Sequence, residues 1–137
     1  MISTDINKII YYDHGHQNEI NLSNTDIQNI SKLLSELTAG YENNVQLMMT
    51  DNRRENIQNN GKCLEIYFNH ETIVKSNQGS EMKVNKVFLF LEGEFSSPSN
   101  QESCLFLLAD KRGYLGNVFN SPYGNKVIKQ LRSLLKI

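Results

Sequence analysis

The chain of 137 residues contains no tryptophan, two prolines and two cysteines. So little proline, together with 39% hydrophobic and 21% charged residues, argues against a disordered chain and favours a globular fold. No stretch approaches the roughly 20 apolar residues that a membrane-spanning helix needs. The length is that of one domain, residues 1–137, which is long enough to bury a hydrophobic core.

An excess of charge of either sign is also missing, since the net charge is −1. A balanced molecule has no long-range field that attracts a polyanion or an acidic membrane. A dedicated nucleic-acid-binding protein is more often clearly basic. We therefore expect neither a nucleic acid nor a membrane among the partners.

The N-terminal stretch MISTDINKIIYYDHG has no apolar run of the length that a signal peptide needs. We therefore expect a cytoplasmic protein, although a secreted domain whose leader has been removed would have the same sequence. Cys63 and Cys104 are compatible with a cytoplasmic and with a secreted protein, because both lie in apolar, strand-like runs. Buried free thiols are the simpler interpretation, and a cross-strand disulfide is the alternative for an exported protein.

Two segments carry the signals of helices. Ser23 and Asp26 have the spacing of a capping box at the start of the first, and Gly40 stands where this helix is expected to end. Ser121 and Pro122 mark the expected start of the second, C-terminal helix. Each segment repeats apolar residues with helical period: Ile27, Ile30, Leu33, Leu34 and Leu37 in the first, and Val127, Ile128, Leu131, Leu134 and Leu135 in the second.

Most of the remaining chain has the pattern of strands joined by turns, and a first strand is predicted at residues 5–12. The runs VFLFL (87–91) and CLFLLA (104–109) are apolar on both faces, which predicts two central strands covered above and below. The segments 51–61 and 95–103 are predicted as polar loops. The order of strand, helix, further strands and helix predicts an α+β fold with a mainly antiparallel sheet of about six strands.

The two doubly apolar strands require cover on both faces of the sheet. Three arrangements meet this requirement: the two helices lie on opposite faces, the sheet curls over its own core, or a partner chain covers one face. The third arrangement includes a homodimer, because two helices can leave one face of a sheet bare.

The stretch YYDHGHQNE holds two of the three histidines of the chain, His14 and His16, beside Asp13. A metal site usually needs three or four such ligands held on rigid elements. Gly15 weakens a strand at this point, and no second cluster offers an obvious fourth ligand. We therefore interpret the stretch as a solvated connection and predict neither a metal nor another cofactor.

Motifs for nucleophilic catalysis and for phosphate binding are missing. The sequence has no G-x-S-x-G elbow for a serine nucleophile. Gly113 and Gly116 belong to a hairpin and are not followed by the Gly-Lys-Ser/Thr of a phosphate-binding loop. Cys63 and Cys104 lie in the middle of predicted strands, whereas a catalytic cysteine is accessible and lies near a positive charge or a helix N-terminus.

Three glutamates are left as candidates for acid–base catalysis: Glu65, Glu92 and Glu94. Glu65 is the most interesting, because it shares the less apolar face of its strand with Cys63 and Tyr67. An isolated glutamate in such a position is usually solvated, and we predict that the protein is not an enzyme. Convergence of Glu65 with His16 or His70 in a cleft would argue for catalysis.

Basic residues are the candidates for contact with a partner. Arg53 and Arg54 lie in the first of the two polar loops. Lys126, Lys129 and Arg132 fall on one side of the C-terminal helix, opposite its leucines. A solvated face is the simpler interpretation of this helix. Among binding roles an acidic protein is favoured over a nucleic acid, because interleaved aromatic side chains for base stacking are missing.

These observations predict a small, soluble, non-catalytic domain that binds another protein, as a bacterial inhibitor or immunity-type protein does. The interface is expected on the polar loops or on the uncovered side of the sheet. The alternative is a domain that binds a small ligand in a pocket between a curved sheet and a helix, lined by Tyr67, Phe88 and Phe90.

Overall fold

The computed structural model describes residues 6–39, 41–75, 79, 81–92 and 104–137, except for the side chains of residues 42–47 and 104. In this part of the chain eight strands form one sheet, and three helices pack beside it. The strands are β1 (Ile6–Asp13), β2 (His16–Ile20), β3 (Glu42–Met48), β4 (Lys62–Lys75), β5 (Glu81–Glu92), β6 (Cys104–Asp110), β7 (Gly113–Tyr114) and β8 (Asn117–Ser121). The helices are α1 (Asn24–Thr38), α2 (Asp51–Asn60) and α3 (Gly124–Leu135).

The strands follow the order β2-β1-β4-β5-β6-β8-β3, with β7 paired to β6, and every pairing is antiparallel. This arrangement confirms the predicted α+β fold with a mainly antiparallel sheet. The two runs that are apolar on both faces belong to β5 and β6, which lie in the interior of the sheet as predicted. No helix in the described ranges is long and apolar enough to cross a membrane.

Helices α1 and α3 contact each other and cover the same side of the sheet, which we call the first face. Leu34 of α1 and Leu131 of α3 are fully buried and belong to one core cluster with Leu64, Val87 and Leu89 of the sheet. Burial of each such side chain stabilises the fold by roughly 1.5–3 kcal/mol, so this cluster is the main source of stability.

The ends of α1 and α3 follow the predicted signals in part. The predicted capping box is present, since the Asp26 N–H donates to Ser23 Oγ (3.1 Å) and the Ser23 N–H donates to Asp26 Oδ2 (3.3 Å). Helix α1 ends at Thr38 with Ala39 as its C-cap, and Gly40, predicted to lie just past the end, is outside the described residues. Helix α3 begins later than predicted: Ser121 still belongs to β8, and its hydroxyl oxygen accepts from the N–H of Tyr123 (3.3 Å).

The opposite side of the sheet, the second face, has its own smaller core. Phe88 and Phe90 of β5 cluster there with Cys63 and Leu107, and all four side chains are almost fully buried. Helix α2 packs on this core through Ile57. The two predicted helices therefore lie on one face, and a third helix covers part of the other.

Helix α2 corrects the prediction of a polar loop at 51–61. The Thr50 hydroxyl accepts a hydrogen bond from the N–H of Arg53 (3.1 Å), and Arg54 forms an ion pair with Asp51 (2.6 Å). None of the residues of α2 is fully buried, so the helix lacks the apolar stripe by which periodicity reveals a helix. The other predicted loop, 95–103, lies outside the described residues.

A β-hairpin stands where the sequence predicts a polar connection after the first strand. His14 and Gly15 form the turn between β1 and β2, with φ of 50° and 87°. Positive φ at both central residues is the geometry of the favoured two-residue hairpin turn. The turn also anchors the end of α2, because the N–H of His14 donates to the carbonyl of Gly61 (2.9 Å) and that of Gly15 to Gln58 (3.1 Å).

Candidate functional site

A carboxylate with three tyrosine hydroxyls around it lies on the second face. Glu65 is 5% exposed, which corrects the expectation of an isolated, solvated side chain. Its Oε1 accepts hydrogen bonds from the hydroxyls of Tyr12 (2.9 Å) and Tyr67 (2.5 Å), and its Oε2 accepts one from Tyr114. We call these four residues the tyrosine–glutamate cluster.

Strand register brings the members of the cluster together. Tyr67 follows Glu65 by two positions on β4 and therefore points to the same face. Tyr12 of β1 stands opposite Cys63, one position along that face from Glu65. Tyr114 reaches the cluster from β7, because the Asp110–Gly113 turn folds this short strand back onto β6.

Lys86 joins the cluster from β5, where it stands opposite Tyr67. Its Nζ lies 3.8 Å from Glu65 Oε2 and about 5 Å from the ring centres of both Tyr67 (5.1 Å) and Tyr114 (5.0 Å). At 3.8 Å the ammonium attracts the carboxylate without a normal hydrogen bond to it. Lys86 therefore offsets the charge of the buried Glu65 carboxylate, whereas the tyrosine hydroxyls fix the position of that carboxylate.

Hydrogen bonds from the tyrosine hydroxyls keep the Glu65 carboxylate ionised. Burial raises the pKa of Glu65, but the hydroxyl donors of Tyr114, Tyr67 and Tyr12 and the charge of Lys86 outweigh it, so the pKa lies below its ordinary value. Burial and the neighbouring carboxylate raise the pKa of all three tyrosines. At neutral pH the cluster is thus a carboxylate with three neutral phenols, and its oxygens are occupied by donors.

Two further cations lie over the tyrosine rings. Lys8 Nζ is 4.7 Å from the ring centre of Tyr67, and the guanidinium carbon of Arg54 is 4.3 Å from that of Tyr114. Such cation–π contacts contribute about 0.5–1 kcal/mol each at partly exposed sites. Lys8, Arg54, Tyr67, Lys86 and Tyr114 are all half-buried, and we call them the tyrosine–cation surface.

A cleft of about 570 Å³ adjoins the surface at an irregularity within the β4–β5 pairing. Tyr67 and Lys86 form part of its wall, so the two features are continuous. His70 and Asn85 line it from β4 and β5, and the turn at 110–113 closes one side. The cleft differs from the predicted pocket between sheet and helix, because Phe88 and Phe90 are packed in the second-face core.

The basic residues selected from the sequence divide between the two faces. On α2, Arg53 is exposed, whereas Arg54 forms an ion pair with Asp51 and lies over the Tyr114 ring. The three predicted residues of α3 lie at the first face: Lys126 and Lys129 are exposed, and Arg132 is half-buried with its guanidinium on Glu92 Oε1 (3.0 Å). The two groups therefore do not form one basic surface.

His14 and His16 lie at the exposed β1–β2 hairpin, and Cys63 is buried in the second-face core. His14 Nδ1 lies 2.7 Å from the carboxylate of Asp13 in an exposed pair, and His16 belongs to the edge strand β2. Within the described ranges, no three His, Cys, Asp or Glu residues converge to hold a metal ion. Burial raises the pKa of the Cys63 thiol to about 12, so this cysteine stays protonated and unreactive.

Sequence reasoning selected Glu65 and placed Tyr67 on the same strand face, but it missed Tyr12, Lys86 and Tyr114. The position of Glu65 between buried apolar neighbours on β4 is itself a signal, because a carboxylate in such a strand requires hydrogen-bond donors. Lys86 and Tyr114 become identifiable only when the register of β4, β5, β6 and β7 is known. No protein-family model, curated protein or solved structure matches this chain.

Proposed function

We propose that this protein is a non-catalytic domain that binds an acidic protein through the tyrosine–cation surface. One observation carries the proposal: Tyr67 and Tyr114 are fixed by Glu65 on the side of the sheet that α2 covers only in part. Tyrosine and arginine are enriched in protein interfaces, and ordered aromatic side chains lose little entropy on binding.

The charge of the surface favours an acidic partner. Lys8, Lys86 and Arg54 contribute three positive charges; Lys86 is paired with Glu65, and Arg54 is paired with Asp51 and, at 3.9 Å, with Glu55, so that Lys8 is the cation directed at a partner. In the described part of the chain, no carboxylate forms an ion pair with Lys8. Complementary charge at an interface accelerates association and excludes partners with a like charge.

The chemistry of the second face supports binding over catalysis. The Glu65 carboxylate is ionised and occupied by three hydroxyls, so it is a poor general base or nucleophile. The Cys63 thiol is buried and protonated. A domain that acts by covering the surface of another protein, as an inhibitor or immunity-type protein does, needs an ordered surface and no reactive group.

Charge reversal at one residue tests this proposal. Lys8→Glu places a negative charge on the tyrosine–cation surface, and Lys32→Glu makes the same change on the exposed side of α1. In affinity capture from the source cells, we expect wild type and Lys32→Glu to enrich the same acidic protein, and Lys8→Glu to lose it. Equal enrichment by both variants would place the interface elsewhere.

A further inference from the structure

The cleft beside the tyrosine–cation surface results from a large irregularity in the β4–β5 pairing. Tyr67 pairs with Lys86 and the next pair is Thr72 with Val84, so four residues of β4, 68–71, stand opposite Asn85 alone. Bulges of this kind redirect side chains and are over-represented next to active sites. Here the residues of the bulge, 68–71 and Asn85, all line the cleft.

Asn85 has a polar atom that the protein leaves unpaired. Its Oδ1 is buried and has no hydrogen-bond partner among the described residues. A buried acceptor without a donor costs about 1–3 kcal/mol, and most such groups in folded proteins are paired. Because Asn85 lines the cleft, a donor such as a ligand hydroxyl would remove this cost.

The wall beside Asn85 suits a negative group. The ammonium of the next residue, Lys86, lies 3.8 Å from Glu65 Oε2, which is too far for a normal hydrogen bond. Its N–H groups can therefore donate to another acceptor. Lys111 is exposed on the turn at the rim of the cleft. Two carboxylates line the cleft: Asp110 is neutralised by two contacts with the Arg112 guanidinium (3.1 and 2.8 Å), and Glu71 is exposed on β4.

We infer that the cleft binds a small hydroxylated carboxylate of the sugar-acid type. Its carboxylate would lie against Lys86 and Lys111, and a hydroxyl would donate to Asn85 Oδ1. The aromatic side chain of Tyr67 and the amide of Asn69 line the same cleft and suit the carbon skeleton and further hydroxyls. The site shares Tyr67 and Lys86 with the tyrosine–cation surface, but ligand binding in it requires no protein partner.

Titration with D-glucuronate, followed by ¹H–¹⁵N NMR, tests the inference. We expect saturable shifts of the Asn85 side-chain amide and of the backbone amides of 68–71, with a dissociation constant of about 1 mM or tighter. D-glucose supplies hydroxyls without the charge, and acetate supplies the charge without the hydroxyls. Each should bind at least about tenfold more weakly, because each keeps only part of the recognised chemistry.

Asn85→Leu removes the acceptor and should abolish the saturable shifts of the 68–71 amides. Asn18→Leu makes the same substitution on the exposed strand β2 and should bind as wild type does. Lys111→Met lies on an exposed turn and tests the charge with little risk to folding; it should weaken binding several-fold. The inference is overturned by the absence of saturable shifts, by equal binding of acetate, or by unchanged binding in Asn85→Leu.

Discussion

The hydroxyl of Tyr114 donates a hydrogen bond to the carboxylate of Glu65, across 49 residues of the chain. This contact ties the short strand β7 to the centre of the sheet. It also places the Tyr114 ring beneath Arg54 of α2, so that one carboxylate orders a hairpin, a helix and the surface between them. The stability of the second face and its proposed binding role therefore depend on the same residue.

Glu65→Gln should lower the free energy of unfolding by about 2–4 kcal/mol, because it weakens three charge-assisted hydrogen bonds and leaves Lys86 without its counter-ion. Urea denaturation at neutral pH measures the loss. Glu36→Gln, on the exposed side of α1, is the matched control and should change the stability by less than about 0.5 kcal/mol. Equal stability of the two variants would show that the cluster is not a stabilising element.

The contribution of Glu65 should depend on pH in a defined direction. Its pKa in the folded protein is lowered from 4.5, so its stabilisation is complete above that value and is lost as the pH falls through the folded pKa. The stability difference between wild type and Glu65→Gln should therefore be constant near neutral pH and shrink below about pH 4.5. A difference that grows on acidification would contradict a lowered pKa.

Arg54→Glu should destabilise the protein more than Arg53→Glu does. Arg54 is half-buried, pairs with Asp51 and lies over the Tyr114 ring, whereas Arg53 is exposed on the same helix. Thermal unfolding of the two variants checks this order, since both make the same change in charge. A larger loss for Arg53→Glu would mean that α2 packs on the second face in another orientation.

Thr50→Ala should cost about 1 kcal/mol, because the N–H of Arg53 loses the hydroxyl that accepts its hydrogen bond at the start of α2. The effect should be local, with faster hydrogen exchange of the amides in 51–60 and unchanged exchange in α1. Unchanged exchange in 51–60 would show that tertiary contacts, rather than the cap, fix this helix.

The parts of the fold that were predicted from sequence have local causes. Residues that are close in the sequence determine the capping box of Ser23 and Asp26 and the apolar stripe of α1. The runs in β5 and β6 require cover on both faces, which places them inside the sheet. By contrast, α2 and β2 each contain one apolar residue, Ile57 and Ile20, and are held by a cap, a turn and strand pairing, so neither shows hydrophobic periodicity.

The candidate site was predictable only in Glu65 and in Tyr67, which lies on the same face of β4. Glu65 is conspicuous as a carboxylate in an apolar strand, but its donors Tyr12 and Tyr114 come from strands whose positions depend on the sheet order. The cleft depends on the bulge between Tyr67 and Thr72, which no alternation pattern predicts. Tertiary register, rather than local propensity, therefore determines both proposed binding features.

Calorimetric titration of the captured partner with wild type, Lys8→Glu and Lys129→Glu tests the central claim most directly. The two variants make the same charge change on opposite faces of the sheet, at the tyrosine–cation surface and on α3. We predict that Lys8→Glu weakens the complex at least about tenfold and that Lys129→Glu leaves the affinity within about twofold of wild type. The opposite order would assign the interface to α3 and contradict the proposed role of the tyrosine–cation surface.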